Sequence, residues 1–297
     1  MAAAIKEGNY ATLPNGTRLH FASAGEAGRP LLLFLHGFPE FWFAWNAQLA
    51  NFGQDYFAVA PDLRGFNLSD MPADVAAYKP RLIMQDITQF IAHLGYSDCI
   101  MVAHDWGGAV AWNIAITYPG LLRKLIIINA THPYPFAMGL VNDPAQQAAS
   151  AYMNWLRNPG SERALAKDNF RVMEQFMLGM GEQPEWFDDA IRERYRACWA
   201  RGLTGGVNYY RSSPLHPPTP DDAGAARLSL NPVDFHVRVP VRVIWGEKDK
   251  ALLPSLLDGL DTLVDDLHIE RLPDASHWVV HEYPDIVNDY LHRFLSE

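Results

Sequence analysis

Short runs that are apolar at nearly every position recur through the first half of the chain: Leu31–Leu35, residues 56–60, residues 99–103 and residues 124–128. Runs of this length, bounded by turn residues, predict strands buried on both faces. Residues 81–94, by contrast, have apolar positions three and four apart, the spacing of a helix packed on one side. Ahead of them, residues 10–13 and 17–22 flank Pro14-Asn15-Gly16, where Asn-Gly marks a tight hairpin turn. Buried strands alternating with helices predict an α/β fold with a mostly parallel central sheet flanked by helices.

At His132 the alternation stops. Through residues 133–227 no run reads as a buried strand, and helical segments around 145–157, 166–178 and 184–200 are rich in Met, Trp, Phe and Tyr. A proline-rich stretch, residues 214–220, closes the section. Strands resume at residues 239–245 and 267–272, and a last helix begins near Pro284. The predicted organisation is a core of residues 1–132 and 228–297, interrupted by a helical cap of residues 133–227.

Composition narrows the function classes. Of 297 residues, 49% are hydrophobic and 20% charged, as in a soluble globular enzyme. The net charge is −10 and no basic block occurs, which argues against nucleic acid or an anionic membrane as partner. No run of 18 apolar residues and no apolar leader over residues 1–10 is present, so a cytoplasmic location is expected. Cys99 and Cys198 are expected as two reduced thiols.

Chemistry concentrates where strands end, since open sheets of this kind bind ligands beyond the carboxyl ends of their strands. After the strand at 99–103 comes Ala103-His104-Asp105-Trp106-Gly107, in the form small-x-acid-x-small. That spacing makes a nucleophile elbow, a sharp strand-to-helix turn that lifts one side chain above the sheet. The lifted residue is Asp105. A carboxylate is ionised at neutral pH and needs no base before it attacks an sp3 carbon. Further on, Gly246-Glu247-Lys248-Asp249 follows one late strand and Asp274-Ala275-Ser276-His277 follows the next. The order nucleophile, acid, histidine is that of a hydrolytic triad. The slot after the strand at 124–128 holds Asn129-Ala130-Thr131 and no acid, so Asp249 rather than Glu247 is expected to orient His277. The oxyanion donors are expected to be the backbone N–H groups of Trp106 and Phe38, with the same two residues contacting substrate. Phe41, Trp42, Phe43 and Trp45 are expected as core and pocket wall, without chemistry of their own.

Together, His36-Gly-Phe-Pro-Glu, Asp62-Leu-Arg-Gly, Ala103-His-Asp-Trp-Gly-Gly, Gly246-Glu-Lys-Asp and His277-Trp resemble the epoxide hydrolases of the α/β-hydrolase fold. The resemblance runs from about residue 10 to the C-terminus and is weakest in the cap. Most of these motifs are shared with haloalkane and haloacetate dehalogenases. The resemblance implies two cap tyrosines that hold and protonate the epoxide oxygen, matching Tyr152 ahead of Pro159-Gly160 and Tyr210 in Asn208-Tyr-Tyr-Arg211. Tyr209 is the alternative for the second. Met153 stands where this family commonly has Gln. Against a dehalogenase, Trp106 replaces the Arg that grips a haloacetate, and Phe38-Pro39 replaces an Asn typical of haloalkane enzymes. The implied activity converts an epoxide and water to a vicinal diol through an ester on Asp105, with no metal or cofactor. A dehalogenase using the same triad and a ligand receptor without turnover are the alternatives.

Overall fold

The computed structural model describes residues 2–182 and 184–297. Eight strands form one sheet: β1 (Ile5–Thr12), β2 (Arg18–Ala24), β3 (Leu31–Leu35), β4 (Phe57–Pro61), β5 (Cys99–His104), β6 (Leu122–Ile128), β7 (Val241–Gly246) and β8 (Leu267–Leu272). Their spatial order is β1-β2-β4-β3-β5-β6-β7-β8. The first two strands are the expected hairpin, with Gly16 at a φ of 86° in its turn. β2 joins β4 antiparallel, and every later pairing is parallel. β3, β4 and β5 are buried along their whole length, which explains why they read as unbroken apolar runs.

Helices α1 (Asn46–Phe52), α2 (Pro80–His93) and α3 (Asp105–Thr117) lie between these strands in sequence. The segment between β6 and β7 contains no strand among its described residues. It forms α4 (Pro133–Asn142), α5 (Pro144–Ala149), α6 (Ala151–Arg157), α7 (Ser161–Leu165), α8 (Lys167–Gly179), α9 (Asp189–Trp199) and α10 (Thr204–Ser212). Three of these, α4, α7 and α10, go beyond the helices read from periodicity. Each is short, α4 opens on Pro133 and α10 includes Gly205-Gly206, so none carries a strong helical pattern. α11 (Val279–Glu282) and α12 (Pro284–Ser296) end the chain. No helix among the described residues is long and apolar enough to cross a membrane. Both cysteines are free and buried.

The consequence for function is positional. β3, β5, β6, β7 and β8 are consecutive parallel neighbours, so residues following each of them gather along one sheet edge.

Candidate active site

β5 runs into α3 with a single residue at the turn, Asp105, whose φ is 49°. A non-glycine residue in the left-handed region costs roughly 1–2 kcal/mol, and small neighbours make room for it. A Cβ on Gly37 would lie 2.1 Å from Asp105 Oδ1, and one on Gly107 would lie 2.3 Å from the Leu35 carbonyl oxygen. The elbow therefore requires glycine at both places. Asp105 Oδ1 accepts a 2.7 Å hydrogen bond from the Phe38 N–H, on the turn after β3. Trp106 is the second residue of α3, where backbone N–H groups have no partner within the helix.

Asp249 and His277, from the turns after β7 and β8, are buried beside it. His277 Nδ1 lies 2.7 Å from Asp249 Oδ2, while His277 Nε2 lies 3.6 Å from Asp105 Oδ2. The second separation is beyond a direct hydrogen bond. Burial pulls the His277 imidazole down, but Asp249 and Asp105 outweigh it and push its pKa up to about 10. Burial pushes Asp249 up, yet His277 and hydrogen bonds from Leu252 and Asn129 hold it below the ordinary carboxylate value. Glu247, the rival acid, pairs at the surface with Arg271 at 3.0 Å.

Asp105, Trp106, Tyr152, Tyr209 and Tyr210 line a cavity of about 280 Å³. The Tyr152 and Tyr210 phenols interact with each other, their rings 6.0 Å apart. Burial first, then Asp105 and Asp249, hold Tyr152 above its ordinary pKa. Burial, Tyr152 and Asp105 do the same to Tyr210. Both therefore remain protonated through the physiological range. Tyr209 also faces the cavity, but its hydroxyl donates to the Arg64 carbonyl oxygen at 3.0 Å. The Phe38 side chain is placed apart from the cavity lining. It is buried, with its ring 5.4 Å from that of Tyr210, so only its backbone reaches Asp105. Phe41, Trp42, Phe43 and Trp45 likewise do not line the cavity; they pack in and against the core.

A family model described as the alpha/beta hydrolase fold matches residues 30–284. The chain belongs to the α/β-hydrolase family. It is 35% identical to human "Epoxide hydrolase 4" over 292 residues, covering 95% of this chain and 77% of that protein. It is 34% identical to "AB hydrolase superfamily protein YfhM" of Bacillus subtilis, covering 95% and 96% of the two chains. The solved Bacillus megaterium epoxide hydrolase, in complex with an inhibitor, superposes with a TM-score of 0.89 at 34% identity, covering 97% of this chain and 100% of that one. A variant of the same enzyme, solved with its product (R)-3-[1]naphthyloxy-propane-1,2-diol, gives a TM-score of 0.88. These likenesses make the chain a hydrolase and set it among the epoxide hydrolases of the family.

Within this α/β-hydrolase site two positions escape a motif reading. Asn129, at a φ of 36° after β6, donates from Nδ2 to Asp249 Oδ2 at 2.8 Å and accepts from the Gly246 N–H at 2.7 Å. Its signal was an asparagine, a residue that tolerates left-handed backbone, in the slot where an acid was sought. Glu40 is fully buried and meets His104 Nδ1 at 3.2 Å, His281 Nε2 at 2.5 Å and the Tyr195 hydroxyl at 2.9 Å. His104 Nε2 in turn lies 2.8 Å from the His277 carbonyl oxygen. Burial opposes the Glu40 charge, but His281 and His104 hold its carboxyl well below the usual range. The sequence signal was a charged residue directly after His36-Gly-Phe-Pro, with no partner nearby in the chain.

Proposed function

We propose that this hydrolase opens an epoxide to a vicinal diol in two steps, with residues 133–227 serving as a cap over the core. Asp105 Oδ2 attacks an epoxide carbon as the ring C–O bond breaks, and the ring oxygen takes a proton from Tyr152 or Tyr210. The result is a hydroxyalkyl ester of Asp105. His277, oriented by Asp249, then removes a proton from water, which adds to the ester carbonyl carbon. The carbonyl oxygen is Oδ1, so the Phe38 N–H that already donates to it stabilises the developing oxyanion, with the Trp106 N–H as second donor. Collapse releases the diol as its departing oxygen takes the proton back from His277, and the second proton of the water leaves the Asp105 carboxyl to restore the tyrosine. No metal or cofactor enters either step. Because His277 lies beyond hydrogen-bond reach of Asp105, it serves a water rather than the nucleophile.

The observation that carries this reading is the pair of protonated phenols lining the same cavity as Asp105. An epoxide leaves as an alkoxide and requires a proton donor at its oxygen. A departing halide requires none. The test is to trap the ester. His277→Gln should allow alkylation and block hydrolysis, so intact mass should rise by the whole mass of the epoxide. An adduct formed only from haloalkanes, lighter by the halide, would move the assignment to dehalogenation. Diol formation by the wild type with no adduct in the variant would mean that water opens the ring directly.

A further inference from the structure

Tyr152 stands near the start of α6 and Tyr210 near the end of α10, so the spacing of the two phenols depends on how those helices are tied. Packed rings hold the side chains, and two arginines tie the backbones reciprocally. Arg157, the last residue of α6, donates from Nη1 to the Tyr210 carbonyl oxygen at 2.9 Å and to the Ser213 carbonyl oxygen at 3.2 Å. Arg211, on α10, donates from Nη2 to the Asn158 carbonyl oxygen at 3.0 Å and pairs with Glu162 Oε2 at 2.5 Å. Each arginine thus reaches the carbonyl of the residue beside the other.

The sequence explains why the Tyr210 carbonyl is open to this contact. Its helical partner would be the N–H four residues on, and residue 214 is a proline, which has none. The Tyr209 carbonyl, by contrast, keeps its helical bond from the Ser213 N–H. A cation also suits the negative end of a helix. On its far side the Arg157 guanidinium lies 3.7 Å from Asp222 Oδ2, whose carboxylate also faces Arg227 at 3.3 Å. Arg157 does not line the cavity, so it reaches a substrate only through the helices it joins.

We infer that Arg157 is a positioning residue for ring opening, its guanidinium on the Tyr210 carbonyl setting the spacing at which both phenols meet one oxygen. This rests on the epoxide reading above. Without that fork Tyr152 and Tyr210 keep their protons and their ring neighbours, but α6 and α10 lose the bond that fixes one against the other. Asp249 and His277 stand on core turns, so ester hydrolysis does not depend on it.

Single turnovers of styrene oxide, followed by tryptophan fluorescence, separate ester formation from ester decay. Arg157→Ala should slow formation about tenfold, the scale of a small misalignment, and change decay less than about twofold. Arg157→Lys keeps the charge without the fork that spans two carbonyls, and should slow formation only about threefold. In a Tyr210→Phe background Arg157→Ala should cost less than about twofold, because the phenol it places no longer donates. Formation and decay slowed equally, or the same tenfold loss in the Tyr210→Phe background, would make Arg157 a stabilising cap alone and overturn the inference. So would unchanged formation in both Arg157 variants, or in the lysine variant if the alanine variant does not fold. A wild type that forms no ester from the epoxide would remove the functional reading itself, an outcome seen before any Arg157 variant is compared.

Discussion

Asp105, Asp249 and His277 stand on turns after neighbouring strands, and short polar contacts hold their side chains. Asp249 alone accepts from the Ala251 and Leu252 N–H groups at 2.8 and 2.9 Å and from Asn129 at 2.8 Å, besides facing His277. Tyr152 and Tyr210 come from α6 and α10 in the helical segment, and neighbouring rings hold them: Phe176, Phe38 and Trp106. Directed hydrogen bonds fix an atom to a few tenths of an ångström, whereas ring packing fixes a surface. On the mechanism proposed above, the groups that would meet the reacting carbon and a water at a set angle are on the rigid side. On the same mechanism, the groups that would deliver a proton to an oxygen are on the side held by ring packing.

The largest break in that division should come from its rigid half. Asp105→Ala should lower turnover at least about 10⁴-fold, as losses of an acting nucleophile do. In the wild type, a single turnover in heavy-oxygen water should place label in the Asp105 peptide; label in the diol alone would show that no ester forms. On the ring-packed half, Tyr152→Phe and Tyr210→Phe should each slow ester formation partially. The double variant should lose roughly 10²–10⁴-fold, the usual worth of general acid help. Stopped-flow tryptophan fluorescence reads that step apart from hydrolysis. Tyr209→Phe should leave the step unchanged within about twofold, its hydroxyl being engaged by the Arg64 carbonyl. A damaging Tyr209→Phe would exchange the roles of the two neighbours.

Acidity offers a finer test. The His277 value of about 10 depends on two carboxylates, and alkylation turns Asp105 into a neutral ester. Hydrolysis of the ester should therefore rise with pH through a value below that of the free enzyme, measurable by single-turnover decay against an NMR titration of His277. Coincident values would mean Asp105 contributes nothing to holding the proton. The stability sign follows too. A folded pKa above the unfolded ~6.5 gives stabilisation that is complete below about pH 6.5 and is lost as pH rises through about 10. The smallest effect belongs to Asn129→Ala, which removes one of several bonds to Asp249. We expect a loss of about 1.5–3 kcal/mol in stability by denaturant unfolding. A rate change larger than that of the tyrosine double variant would place Asn129 in the chemistry itself.

Much of the rigid half was legible in the chain because its signals are local. The elbow needs small residues at fixed offsets around Asp105, and His277 and Asp249 each follow a recognisable strand. The core helix at 81–94 was equally plain, becoming Pro80–His93, whereas the short helix Asn46–Phe52 was not read. The ring-packed half was less legible. Tyr209 and Tyr210 are adjacent, aromatic and both buried, and only the direction of each side chain on α10 tells them apart. Nor could periodicity show that Phe38 turns its ring away from the cavity while offering its N–H to it. The partners of Glu40 come from residues 104, 195 and 281, too far apart in sequence for any window to join.

That last cluster bears on how such enzymes can be recombined. Tyr195 belongs to the helical segment, whereas Glu40, His104 and His281 belong to the core, so a carboxylate sealed inside one part is satisfied partly by the other. Stripping a buried charge of a partner commonly costs about 3–5 kcal/mol, a large share of a domain's net stability. A chimera that imports the helical segment from a relative, in search of a new substrate range, should therefore fold well only if the donor segment brings a hydroxyl to position 195. The boundary that invites grafting is wired to the scaffold through buried hydrogen bonds, the Tyr195 hydroxyl on Glu40 among them.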